Sequence, residues 1–128
     1  MNNTIEKARV VEVFVALASL QMPRQIDFYR QVLMTQPTTS TSTYAEFRSP
    51  MLRLAIFTPN PANTAEFAAQ SSGAMSLCLE VDSLEIAIAR LKSIGHAPPG
   101  EIMHTSHGQE IYAYDPDGNR LILHQSSS

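Results

Sequence analysis

The run Tyr112-Ala-Tyr-Asp-Pro-Asp-Gly-Asn-Arg-Leu-Ile-Leu-His124 decides how the chain is read. Its centre, Asp115-Pro-Asp-Gly118, is turn chemistry. Proline presets a turn's φ, a short acidic side chain bonds its own backbone, and glycine supplies a positive φ. Residues 109–114 and 119–124 on either side alternate in polarity and read as two strands joined by that tight turn. Working upstream, a further strand lies near residues 102–105. Before it, residues 84–94 read as a helix. Asp82 or Ser83 can cap its free N–H groups, and Gly95 can stop it in a left-handed conformation. Residues 76–81 (SLCLEV) form the strand that precedes the helix. The order is strand, helix, then three strands.

The same order occurs earlier in the chain. Residues 11–20 (VEVFVALASL) alternate as a strand, and residues 22–33 carry a helical stripe of Met22, Ile26, Tyr29 and Leu33. Pro23 suits the first helical turn, where its missing N–H costs nothing. A polar loop (residues 35–42) leads to strands at 44–48 and 51–57. A connector follows, with a helical turn around residues 65–69. Laying Val15 on Leu77 also lays Ile26 on Ile88, Tyr29 on Leu91 and Val32 on Ile94. This is an internal duplication with weak residue identity. Each half is too small to bury a core alone, so the two must share one. The predicted organisation is a single domain over 1–128: module one at about 10–58, a connector at about 59–73, and module two at about 74–125.

Composition narrows the function. The 128 residues are 44% hydrophobic and 16% charged, which supports a packed core and excludes wholesale disorder. Nine basic side chains against twelve acidic ones give a net charge of −3, so no basic excess drives nucleic-acid binding. No apolar run is long enough to span a bilayer, and the first residues lack a signal-peptide pattern. One cysteine, Cys78, forms no internal disulfide and anchors no multi-cysteine zinc site. The expectation is a soluble cytoplasmic protein with neither a membrane nor a nucleic acid as partner. Flanked by leucines, Cys78 reads as a buried structural thiol, and Met22, Met34, Met51, Met75 and Met103 read as core fillers.

In order and spacing, residues 11–125 resemble the vicinal oxygen chelate superfamily, which includes glyoxalases, bleomycin-resistance proteins, extradiol dioxygenases and fosfomycin-resistance enzymes. The resemblance is carried by Phe28-Tyr29-Arg30, by the run Leu79-Glu-Val-Asp-Ser-Leu84 followed by Ala89-Arg90-Leu91 and Gly95, and by the closing run quoted first. It implies an α+β fold of two tandem βαβββ modules. Their sheets curl as half-sheets around a pocket, and the helices lie outside. Alternation then divides the strands. Residues 13, 15, 17, 77, 79, 81, 121 and 123 should pack under the helices. The opposite set should face the pocket: Glu12, Phe14, Ala16, Arg53, Ala55, Phe57, Ser76, Cys78, Glu80, Glu110, Tyr112, Tyr114, Arg120, Ile122 and His124.

Metal-dependent relatives carry His, Gln or Glu ligands on the first and last strand of each module. The resemblance maps those positions onto Phe14, Ala55, Ser76 and Ile122. Phe, Ala and Ile cannot coordinate a divalent cation, and a neutral serine hydroxyl coordinates one poorly. Without that Lewis acid, the metal-dependent chemistries are disfavoured. A relocated site would need Glu12, Glu80, His104, His107 or His124; His104 and His107 stand at a spacing that a strand puts on opposite faces.

The leading expectation is metal-independent binding of an apolar or aromatic small molecule, as in bleomycin resistance, with no cofactor. Phe14, Ala55, Phe57, Cys78, Tyr112 and Ile122 would wall the cleft, with Ser76, Arg53 and His124 as orienting polar groups. Arg53, if it faces inward, could hold a carboxylate bidentately; the alternative is a solvated edge residue. Two rivals stand beside it. One is a lyase- or dioxygenase-like enzyme with a relocated metal, or a metal-free acid–base catalyst using His124 with Glu80 or Glu12. The other is a dimeric interaction module whose cavity its own side chains fill. The resemblance also implies a homodimer.

Overall fold

The computed structural model describes residues 8–68 and 73–127. Two four-stranded sheets, one per module, carry the fold. Module one contributes β1 (Val15–Ala18), α1 (Met22–Val32), β2 (Thr39–Ser40), β3 (Tyr44–Arg48) and β4 (Arg53–Phe57). Module two contributes β5 (Leu77–Glu80), α2 (Leu84–Ser93), β6 (Met103–Thr105), β7 (Gly108–Tyr114) and β8 (Arg120–Ser126). The strand orders are β1-β4-β3-β2 and β5-β8-β7-β6, and the first strand of each module runs parallel to its last. The α+β architecture of two βαβββ modules is therefore observed. The connector forms a 3-10 helix at Pro61–Phe67, which takes in the first part of the turn expected at 65–69, residue 69 lying outside the described residues; Asn60 Oδ1 accepts from the Ala62 N–H and Pro61 opens the first turn.

The helix signals act where the sequence placed them. Pro23 sits in the first turn of α1. Ser83 Oγ accepts from the Ile86 N–H and starts α2, whose last turn carries Arg90 and Lys92 beside its free carbonyls. Gly95, at φ +84°, closes that helix, with the His96 N–H donating to the Leu91 carbonyl at 2.8 Å. β2, which the βαβββ plan requires, falls where the residues read as a polar loop: Thr39 and Ser40 pair with Glu46 and Ala45. No apolar alternation marks so short an edge strand.

One core joins the two modules. Phe28, Tyr29, Leu54 and Ile56 cluster with Leu84, Leu91, Leu121 and Leu123, and all are buried. The Phe28 ring meets Tyr29 and His96 edge-on, each at 5.0 Å, so α1 packs against the loop that follows α2. A buried polar joint lies beside this core. Asp115 is 4% exposed. Its Oδ1 accepts from the backbone N–H groups of Asp117 and Asn119, closing the turn. Its Oδ2 accepts from Asn119 Nδ2, from Gln25 Nε2 at 2.8 Å and from Tyr29 Oη at 2.7 Å, reaching across to α1. Burial, and then the Asp115 charge, push the Tyr29 hydroxyl pKa far above its usual value, so it stays a donor.

Some expectations of burial fail, because the pattern of a sequence does not say what covers a given position. Val13 was expected under a helix but is 81% exposed, because β1 begins only at Val15. Cys78 was expected to be buried and is exposed. Its neighbours Leu77 and Leu79 turn to the core, and the thiol points the other way. Of the methionines taken as core fillers, Met22 is buried, while Met34, Met51, Met75 and Met103 are exposed.

Candidate functional site

The strand registers align the two modules residue by residue. Val15 pairs with Leu54 and Leu77 with Leu121, so β1 overlays β5 and β4 overlays β8. On the face away from the helices, module one then presents Phe14, Arg53 and Arg48, next Ala16, Ala55 and Glu46, and then Ala18, Phe57 and Tyr44. Module two presents Ser76, Arg120 and Tyr114, next Cys78, Ile122 and Tyr112, and then Glu80, His124 and Glu110. Phe14 thus corresponds to Ser76, Ala55 to Ile122, and Arg53 to Arg120.

In module one the first level is closed on itself. Arg53 Nε donates to Glu46 Oε1 at 3.0 Å and Nη1 pairs with Glu12 Oε1 at 2.9 Å. The guanidinium lies 4.0 Å above the Phe14 ring centroid, an attractive cation–π placement. Arg48 adds a second cation to Glu12 and Glu46. Tyr44 Oη donates to Glu46 at 2.7 Å. That bond, and then the one from Arg53, hold the Glu46 carboxyl below the usual carboxylate range. Phe14 stays 45% exposed, while Ala55 is 1% exposed. Phe57 is covered by Phe67 of the connector, edge-on at 5.4 Å.

In module two, Arg120 Nε donates to Ser76 Oγ at 2.7 Å, and Nη2 donates to the carbonyls of Gly73 (2.7 Å) and Met75 (3.3 Å). The middle level is apolar and open: Cys78 is exposed, Ile122 half-buried and Tyr112 39% exposed. At the far level His124 Nδ1 meets Glu80 Oε1 at 2.7 Å. Glu80 Oε2 accepts from the N–H and the hydroxyl of Ser126, both at 2.8 Å. The bond to His124, and then those to Ser126, lower the Glu80 pKa and fix the carboxylate as an orienting partner for the imidazole.

The sequence candidates therefore fall into separate groups. Phe14, Arg53 and Ala55 lie together on module one, with Phe57 set apart beneath Phe67. Ser76, Cys78, Tyr112, Ile122 and His124 share the module-two face. None of them lines the cleft of about 240 Å³ where Ala18 and Leu20 meet Phe67, Gly118 and Asn119. Arg53 is not the open cation that the sequence suggested, since its own carboxylates engage it. Arg120 was on the pocket-facing list without being singled out. The signal that marks it is one level along the sheet: Tyr112 stands opposite Ile122 where module one has Glu46 opposite Ala55.

The family's metal positions do not fit a metal. Phe14, Ala55 and Ile122 offer no donor atom. Ser76 Oγ is engaged by a guanidinium, and a second guanidinium lies over Phe14. Two fixed positive charges would repel a divalent cation. Among the described residues no group of three or more His, Cys, Asp or Glu is placed to hold one elsewhere. Among the same residues, no helix is long and apolar enough to cross a membrane.

Comparison with solved structures returns the same architecture. A glyoxalase-related enzyme from Fulvimarina pelagi superposes with a TM-score of 0.73 at 19% identity, over 91% of this chain and 89% of that one. The bleomycin resistance determinant encoded on transposon Tn5 gives 0.65 at 20% identity, over 93% and 100%. The fosfomycin resistance protein FosX from Listeria monocytogenes, complexed with Mn(II) and sulfate, gives 0.72 at 17%, over 93% of each chain. At these identities the likeness speaks for the fold. No curated protein matches the chain. The Glyoxalase/Bleomycin resistance protein/Dioxygenase superfamily model matches residues 13–123. With nearly its whole length matched in sequence and its two βαβββ modules matched in structure, the chain belongs to that superfamily.

Proposed function

We propose that the protein binds an apolar or aromatic small molecule on its sheet faces without a metal. The observation that carries this reading is the chemistry of the family's ligand positions: an aromatic ring, two aliphatic side chains and a serine already bonded to an arginine. Around them Cys78, Tyr112, Ile122 and Phe14 supply the apolar surface that a small-molecule site needs, with few polar groups to orient the ligand. A bleomycin resistance determinant, the one encoded on transposon Tn5, shares this fold. We propose that the chain is a cytoplasmic homodimer. The exposed Val10, Val11, Val13, Phe14, Met51 and Met75 form apolar surface that a second copy would cover. Light scattering at micromolar concentration should give twice the chain mass, and a monomer would refute that part. A thermal-denaturation screen with aromatic and aliphatic compounds should find ligands that raise Tm in the presence of a chelator. Failure of every compound to do so would contradict the binding reading.

One observation favours a second reading. The Glu80–His124 pair, at 2.7 Å, has the geometry of an oriented general base. A catalytic role would give turnover of a bound ligand that His124→Gln abolishes while leaving ligand affinity intact.

A further inference from the structure

Building on the proposal of small-molecule binding at the sheet faces, we propose that module two recognises a ligand with an aromatic or apolar body and one anionic group, a carboxylate or sulfonate, and that Arg120 with Ser76 holds the anion. The argument rests on the duplication. Arg53 and Arg120 occupy equivalent positions in equivalent strands. Arg53 is neutralised by Glu46 and Glu12. Arg120 has only neutral partners, the Ser76 hydroxyl and the Gly73 and Met75 carbonyls, and no described carboxylate lies within ion-pair distance.

The nearest acidic groups in sequence are committed elsewhere: Asp115 faces the core and Asp117 accepts from Gln21. Glu80 and Glu110 stand opposite His124, four residues along β8 and so about 13 Å away by strand rise. The Arg120 guanidinium is held by Nε and Nη2, which leaves the two Nη1 donors without a partner among the described residues. Ser76 accepts from Arg120, so its own hydroxyl proton remains to be donated. A charged Nη1 donor and the neutral Ser76 hydroxyl therefore remain available one level along the sheet from the apolar patch made by Cys78, Ile122 and Tyr112. A ligand anion seated there would place its apolar body on that patch.

The test uses two fluorescent probes with one aromatic body. 1-Anilinonaphthalene-8-sulfonate carries the anion, and N-phenyl-1-naphthylamine lacks it. The full chain should bind the sulfonate more tightly than the neutral probe. Arg120→Gln should weaken the sulfonate roughly tenfold or more, as loss of a charge-assisted hydrogen bond does. The same variant should leave the neutral probe unchanged, and Arg120→Lys should retain part of the preference. If both probes bind the unaltered chain equally, or Arg120→Gln weakens them alike, the anion site is wrong while apolar binding at the sheet face stands. If neither probe binds, both readings fall. The preference of the unaltered chain decides the matter even if Arg120→Gln does not fold.

Discussion

The two modules share a fold and differ in where their charge goes. In module one, two arginines face two glutamates, and a tyrosine bonds one of the carboxylates, so the sheet face is electrostatically closed. In module two, a lone arginine stands at one end and a glutamate–histidine pair at the other, with apolar residues between. Their helices differ in the same way. α1 carries Gln25 and Tyr29, which reach the buried Asp115, where α2 carries Ala87 and Leu91. The modules share a backbone plan and differ in side-chain pairing: Arg53 meets carboxylates, whereas Arg120 meets a hydroxyl and two carbonyls.

The largest expected effect breaks the joint between them. Asp115→Ala removes the acceptor of several hydrogen bonds and leaves the Tyr29 hydroxyl and the Gln25 amide buried without it. Each stranded group costs about 1–3 kcal/mol, so the loss should be about 2–5 kcal/mol in urea denaturation. Tyr29→Phe removes one of those donors and should cost about 1–2 kcal/mol. A loss of a few tenths for Asp115→Ala would mean that the modules do not depend on this joint.

Arg53→Gln comes next. It opens the charge cluster of module one and leaves Arg48 alone to offset Glu12 and Glu46, so Tm should fall, by less than for Asp115→Ala. The corresponding Arg120→Gln should lower Tm less again, because it strands no carboxylate. Equal losses would erase the difference drawn between the modules.

Acid titration gives a smaller effect with a definite sign. Folding holds the Glu46 and Glu80 carboxyls below their ordinary range. The stability they contribute is therefore present above the unfolded glutamate pKa of about 4.3 and is lost as pH falls through the lower folded values. Tm should drop across that window, and Glu46→Gln should flatten the drop. The mildest test reads Cys78. Its exposed thiol should react with a disulfide reagent in the folded chain, and a bound aromatic ligand should slow the reaction.

The sequence carried the fold because its strongest signals are local. The Asp115–Gly118 turn, the Ser83 cap, the Gly95 stop and Pro23 each dictate backbone conformation within a few residues. The site was less legible because it depends on partners far apart in the chain. Nothing near Arg53 announces that Glu12 reaches it, and nothing near Ser76 announces Arg120. Strand parity put both arginines on the face away from the helices but gave no measure of neutralisation. Cys78 shows the same limit: alternation gave its direction, and an apolar neighbourhood in sequence wrongly suggested cover.

Metal content is the most direct test of the central claim, that this chain binds its ligand without a metal. The full chain, produced in medium supplemented with manganese, zinc, nickel and iron, should be gel-filtered and its metal measured per mole of protein. The account predicts well below one equivalent of any of them, with aromatic-ligand binding unchanged by a chelator. One tightly held equivalent, with ligand binding lost on its removal and restored on its return, would contradict it.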